Sequence, residues 1–173
     1  MAIAAKSRPR LKVALDSNVL FDLAAGENFA ATVLEVLREK AAVVYVPPTV
    51  LLELLYEEEH CVVPEKGKLA SRALDGIHRL WRLERVDLDA NQEAIARGFA
   101  NALRNTRLMD SCEINDSWIL AEATQIPVDF LLTSDKHLLS IDRDKLHALF
   151  DEKHLTKVEI AAPRRFFNLL RGR

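Results

Sequence analysis

The strongest constraint on the fold is the interleaving of short apolar runs with amphipathic stretches. Val13, Ala14 and Leu15, residues 42–46 (AVVYV) and residues 128–132 (VDFLL) are each too short for a helix. Near-continuous apolar runs of this length read as strands buried on both faces, the habit of parallel sheets. Between them the spacing predicts helices. Residues 28–40 carry Phe29, Val33, Leu34 and Leu37 on one stripe. Residues 48–60 start on Pro48, whose missing N–H is harmless there, and turn Val50, Leu51, Leu54 and Leu55 inward. Further helices are predicted over 67–85 (Leu69, Ala73, Ile77, Leu80, Trp81), 90–104 (Ala94, Ile95, Phe99, Leu103), 114–124 (Ile119, Ala123), 145–150 and 163–170. Short strands are predicted at 85–88 and 158–160, and 105–112 is a loop. The alternation implies an α/β fold: a three-layer sandwich with a central, mostly parallel sheet of about four to five strands and helices on both faces.

The chain has 173 residues, 49% hydrophobic and 29% charged, which suits one domain over 1–173 with a real core. Residues 1–10 form a basic extension, and 60–85 form a helical elaboration. No apolar run is long enough to span a bilayer, and the N-terminal residues lack the apolar core of a signal peptide. Cys61 and Cys112 are not in a CxxC, so they suggest neither a zinc site nor a redox motif. A cytoplasmic location with no membrane attachment is therefore expected. The five histidines show no HxxxH spacing with a third ligand, and they are read as structural or exposed. Net charge is -2, yet Lys6, Arg8, Arg10 and Lys12 at one end and Arg164, Arg165, Arg171 and Arg173 at the other would form a locally basic rim.

Acids mark the ends of the strands. Asp16 follows the first, and Asp135 follows VDFLL after Thr133 and Ser134. Glu53 lies in the early turns of the helix fed by the second strand, and Asp116 opens the helix over 114–124. In a parallel sheet the carboxyl ends of the strands share one edge, where ligands bind. Taken alone, Asp16 need do no more than favour a helix N-terminus, with Ser17 or Asn18 capping a helix that starts near Val19. Four carboxylates converging at one edge repel strongly and call for a counter-ion. All-oxygen ligands favour Mg2+ or Mn2+, and such an ion suits phosphodiester hydrolysis.

LDSNVL, VLLELL, NDSWILAEA and LLTSDKHLL, in that order, with EIAAPRRFF near the end, resemble the motifs of the PIN-domain ribonucleases over nearly the whole chain. The resemblance implies a PIN fold and a Mg2+- or Mn2+-dependent endoribonuclease acting on single-stranded RNA. It also implies a toxin role beside an antitoxin, of the VapC type, and a homodimer. Carried onto this sequence, Asp16, Glu53, Asp116 and Asp135 match the metal-site acids. Glu113 matches the extra acid of some members. Ser17, Asn18, Thr133 and Ser134 match the positions that orient acids or water. The stripes from Phe29 to Leu37 and from Leu69 to Trp81 would supply the dimer face. The segment from His60 to Arg85 adds roughly 30 residues to what a minimal toxin needs. A catalytically inactive PIN scaffold that binds RNA or a protein partner is the alternative reading. A HAD-type phosphatase would need a second Asp at the position of Asn18. A von Willebrand-type metal site is broken by Asn18 and Leu20. A response-regulator switch fits poorly, because Lys136 follows Asp135 directly. Trp118, two residues beyond Asp116, is read as a core or dimer contact rather than a base-stacking platform.

Overall fold

A computed structural model describes residues 10–172 of the chain. Most of the basic N-terminal extension expected over 1–10 lies outside the described residues. Five parallel strands, β1 (Lys12–Leu15), β2 (Val43–Val46), β3 (Glu84–Arg85), β4 (Phe130–Leu132) and β5 (Glu159–Ala161), form one sheet in the order β3-β2-β1-β4-β5. The chain steps outward from β1 in one direction to β3, then returns to pair β4 on the other side of β1. The reversal puts the topological switch point between β1 and β4, where Leu15 stands opposite Leu132. The crevice outside that point is where open α/β sheets bind ligands.

Helices α1 (Ser17–Ala25), α2 (Asn28–Glu39), α3 (Pro48–His60), α4 (Pro64–Asp75), α5 (Ala90–Asn105), α6 (Ile114–Gln125), α7 (Lys136–Leu139), α8 (Arg143–Glu152) and α9 (Pro163–Arg171) make the connections and the close of the chain. Both faces of the sheet are covered. Phe130 and Leu131 point to opposite faces, as successive strand residues must. The Phe130 ring meets Phe166 of α9 edge-on at 5.1 Å, and Leu131 is fully buried on the other face. Phe99 of α5 stacks on Phe150 of α8 at 5.3 Å, and Phe29 of α2 meets Phe167 of α9 at 5.6 Å. Among the described residues no helix is long and apolar enough to cross a membrane.

Several expectations shift. Helix α1 begins at Ser17, and Asp16 itself is its N-cap, accepting from the Ser17 N–H. The α3 stripe rests on Val50 and Leu54, and Leu55 is exposed. On α5 the buried face is Ala96, Phe99, Ala100 and Leu103, while Ala94 and Ile95 face water. The apolar spacing fitted two adjacent stripes, and packing on α6 and α8 selected one. The predicted helix 67–85 is α4 followed by a π-helical turn, Gly76–Leu80, after which the chain leaves for β3. Its buried residues are Ala70, Ala73, Leu74 and Ile77, and Leu80 is exposed. Of the expected dimer stripes, Val33, Leu34, Leu37, Ala73 and Ile77 belong to the core, while Phe29, Leu69 and Trp81 are half-buried and Leu80 is exposed. The short helix α7, directly after Asp135, escaped the reading because its four residues are too few to show a period.

The π-helical turn has a steric cause. The Trp81 N–H donates to the Gly76 carbonyl at 2.8 Å and folds the indole back over Gly76, where a Cβ would lie 2.6 Å from two ring atoms. Wide turns of this kind need a local reason, and here it is a ring that requires a bare backbone beneath it. Gly76→Ala should therefore destabilise the chain by about 1–3 kcal/mol through overpacking, despite alanine's better helix propensity. Urea unfolding followed by circular dichroism measures this. A midpoint equal to or above wild type would mean that the indole does not sit on Gly76.

Candidate active site

The site grows from the ends of β1 and β4. Asp16 is 2% exposed, an acid at the end of three apolar strand residues. Its Oδ2 accepts from Thr133 Oγ1 at 2.6 Å and Asn18 Nδ2 at 2.9 Å, and its Oδ1 accepts from the Ser17 N–H at 2.6 Å. Thr133 Oγ1 also accepts from Asn18 Nδ2 at 3.2 Å and from the Asp135 N–H at 2.8 Å. Asn18 Oδ1 accepts from the Ser134 N–H at 2.9 Å. The corner after β1 and the corner after β4 are thus stitched by side chains beyond the last rung of the sheet. Asp135 caps α7, accepting from the His137 N–H at 2.6 Å.

The other acids arrive from helices. Asp116 stands half-buried in the first turn of α6. Glu53 is held one helix away, its Oε1 accepting from Asn115 Nδ2 at 2.7 Å. Glu113 is the N-cap residue of α6 but makes no side-chain cap; its Oε1 lies 3.6 Å from His137 Nε2. Sequence reasoning missed Asn115 and the placement of His137 at this rim. It also missed Glu122, which is buried on α6 and accepts from Thr49 N–H at 2.9 Å and Thr49 Oγ1 at 2.7 Å. Glu122 serves as the cap that Pro47, which lacks a side-chain donor or acceptor, cannot give α3. It thereby fixes the helix that carries Glu53. A glutamate inside a helix carries no sequence sign that it caps another helix.

The electrostatics tell which acids lie close enough to repel one another. Burial pushes the Asp16 carboxyl up to about 6; the bonds from Thr133 and Ser17 pull the other way, and repulsion from Glu53 and Asp135 adds to the rise. Asp116 is pushed up to about 7, first by burial and then by Asp135, Asp16, Glu113 and Glu53. Five acids from four parts of the chain therefore feel one another. Among the described residues, though, no three His, Cys, Asp or Glu side chains are grouped so as to hold a metal ion.

Raised carboxyl pKa values reverse the usual acid sensitivity. Unfolded, both groups titrate from a value of 3.8; folded, they titrate near 6 and 7. Between those limits the folded state holds more protons, so stability falls as pH rises through that window. The metal-free protein should melt higher at pH ~5.5 than at pH ~8, and Asp116→Asn should flatten the slope. Melting curves in EDTA across this range check it. A wild-type melting temperature that climbs with pH would mean that hydrogen bonds, not burial and repulsion, rule these carboxyls. Thr133→Val tests the stitch itself. Removing one hydroxyl with three partners should cost about 1–3 kcal/mol in chemical denaturation, far beyond what losing one exposed bond would cost.

This geometry has known relatives. The PIN domain family model matches residues 13–144, which reaches from β1 past Asp135 into α8. No curated protein matches the chain significantly. Among solved structures, the chain resembles one in the crystal structure of VapBC2 from Rickettsia felis bound to a DNA fragment from their promoter. The TM-score is 0.62 and the identity 18%, covering 88% of this chain and 98% of that one, a likeness of fold. With its motifs on the elements the family model spans, and its acids at the switch point of a parallel sheet, the chain belongs to the PIN domain family, whose members are typically nucleases.

Proposed function

We propose that the protein is a metal-dependent endoribonuclease for single-stranded RNA, acting in the cytoplasm as the toxin of a toxin–antitoxin pair. The observation that supports this most is the pair of acids at the β1 and β4 ends, Asp16 and Asp135, with Glu53 and Asp116 near enough to add their repulsion, so that burial and like charge raise Asp16 and Asp116. The donor set is carboxylate oxygen with neither cysteine nor histidine among the four, which fits Mg2+ or Mn2+ better than zinc. Asp16, Glu53, Asp116 and Asp135 would hold the ion, with Glu113 at its edge. The ion would lower the pKa of a water and offset charge on the phosphodiester. The chain's own part is positioning. Thr133, Asn18 and the Ser17 N–H hold the Asp16 carboxylate, the His137 N–H holds that of Asp135, and Asn115 holds Glu53. Groups behind a metal ligand act by holding its orientation.

A cleft of about 1010 Å3 opens beside these acids, between α1, α3 and α6. Its walls include Phe21, Leu52, Tyr56 and Trp118, and its charged lining is acidic apart from Lys66, which pairs with Glu57 at 2.6 Å. An apolar segment bearing basic residues, such as part of an antitoxin, would suit that cleft. The relative VapBC2 supplies the precedent only as a protein of similar fold.

Purified protein should cleave single-stranded RNA with Mg2+ or Mn2+ and stop in EDTA. Asp16→Asn and Asp116→Asn should each lose more than the ~10–100-fold typical of an outer partner, while Thr133→Val should lose an amount within that range. Cleavage that persists in EDTA would defeat the proposal. RNA binding without cleavage under any divalent ion would favour the inactive scaffold.

A further inference from the structure

Phosphodiester chemistry at an acidic site needs cations nearby to hold the rest of the polymer, and the cleft described above offers none that is free of a carboxylate partner. The opposite flank differs. Thr133, which bonds Asp16, also donates its N–H to the Ala161 carbonyl at the end of β5 (3.1 Å). From Ala161 the chain passes through Ala162 into α9, so α9 starts two residues beyond the strand end that Thr133 bonds. This helix contains no acid: its sequence is PRRFFNLLR. Pro163 and Phe166 face the core, and Arg164, Arg165, Asn168 and Leu169 recur at helical spacing on the exposed side. With Ala162 and Gly172 these four line a shallow hollow of about 650 Å3. Among the described residues Arg164, Arg165 and Arg171 form no ion pair. Arg164 lies over the Phe29 ring at 5.6 Å and Arg171 over Phe167 at 4.6 Å. Stacking on a ring restrains a guanidinium while leaving its N–H edge open, the arrangement that suits bidentate phosphate binding.

We infer that the exposed face of α9 is the track along which the backbone of single-stranded RNA runs away from the acidic site, its phosphates held by Arg164 and Arg165 and, further along, by Arg171. This rests on the nuclease reading above. Charge complementarity selects the occupant: a polyanion fits an arginine face without acids, and its continuity with Thr133 and Asp16 makes that polyanion the substrate. A nine-residue helix offers about 13 Å of track. Such contacts hold phosphate without reading sequence.

The test measures binding apart from cleavage. Asp116→Asn protein is titrated into a fluorescent, uridine-rich single-stranded RNA, with anisotropy recorded from about 50 to about 300 mM NaCl. Adding Arg164→Ala and Arg165→Ala should weaken binding by on the order of tenfold at low salt and flatten the log–log salt slope by about 0.7 per arginine. Arg164→Lys with Arg165→Lys should restore most of the slope, since charge is retained. Lys68→Ala with Arg97→Ala, which removes equal charge from α4 and α5, should leave the slope alone. Circular dichroism confirms that each variant is folded. RNA bound with an unchanged slope after loss of both arginines overturns the α9 track and leaves the nuclease reading standing. A slope that falls equally in the Lys68/Arg97 control reduces the effect to net charge and also overturns it. Binding that depends on α9 in a wild type that cleaves no RNA upholds the track and defeats the nuclease reading. No RNA binding at all defeats both.

Discussion

The structure depends on one buried carboxylate. Asp16 ends a strand of three buried apolar residues and is itself withdrawn from water, a position that disfavours its charge. Three donors make the position tenable: Thr133 Oγ1, Asn18 Nδ2 and the Ser17 N–H. They come from the residue after β4 and from the first two residues of α1, so satisfying one acid fixes two strand ends and a helix start. The same Thr133 hydroxyl orients Asp135 through its backbone, and Asn18 orients Ser134. The β1/β4 junction is thus the point at which fold stability and the proposed chemistry draw on the same bonds.

Around that junction the molecule divides its charge. Acids gather at the switch point and continue along the α3–α6 cleft, and arginines occupy α9 on the opposite flank. A near-neutral total conceals this, because net charge averages over surfaces that face different partners. The division suits an enzyme that must concentrate negative charge for a cation and yet retain a negatively charged polymer. The acidic, apolar cleft and the basic helix would then receive different partners.

Helix α6 shows how tightly the site is integrated. One helix carries Asp116 in its first turn, Asn115 to hold Glu53, and Glu122 to cap the helix that bears Glu53. Ser117 on the same helix accepts from the Arg104 guanidinium of α5 and donates to the Ile114 carbonyl at 2.7 Å. Its low amphipathicity follows from this: a helix pressed between neighbours buries Ser117, Glu122 and Thr124 along with Ile119 and Leu120. Polar groups so placed must be paired, and each of these three is.

The sequence by itself determined the alternation of strand and helix, the parallel sheet and the acids at its edge. Buried strands need apolar runs, and a charged residue ending such a run stands out. Asp16 and Asp135 stood out for that reason, with Asn18, Thr133 and Ser134 as their polar neighbours, whereas Asp116 and Glu53 were singled out by their places early in helices. Only the tertiary structure decided the strand order, which places β4 beside β1 and so brings residues over a hundred positions apart within hydrogen-bond reach. It also decided which of two apolar stripes on α5 faces inward, and it drew Val33, Leu34, Leu37, Ala73 and Ile77 of the expected dimer stripes into the core. The caps supplied by Glu122 and the ring over Gly76 were invisible for a common reason. Each is a contact whose need arises on one element and whose answer lies on another, or past a turn, and period and propensity describe one element at a time.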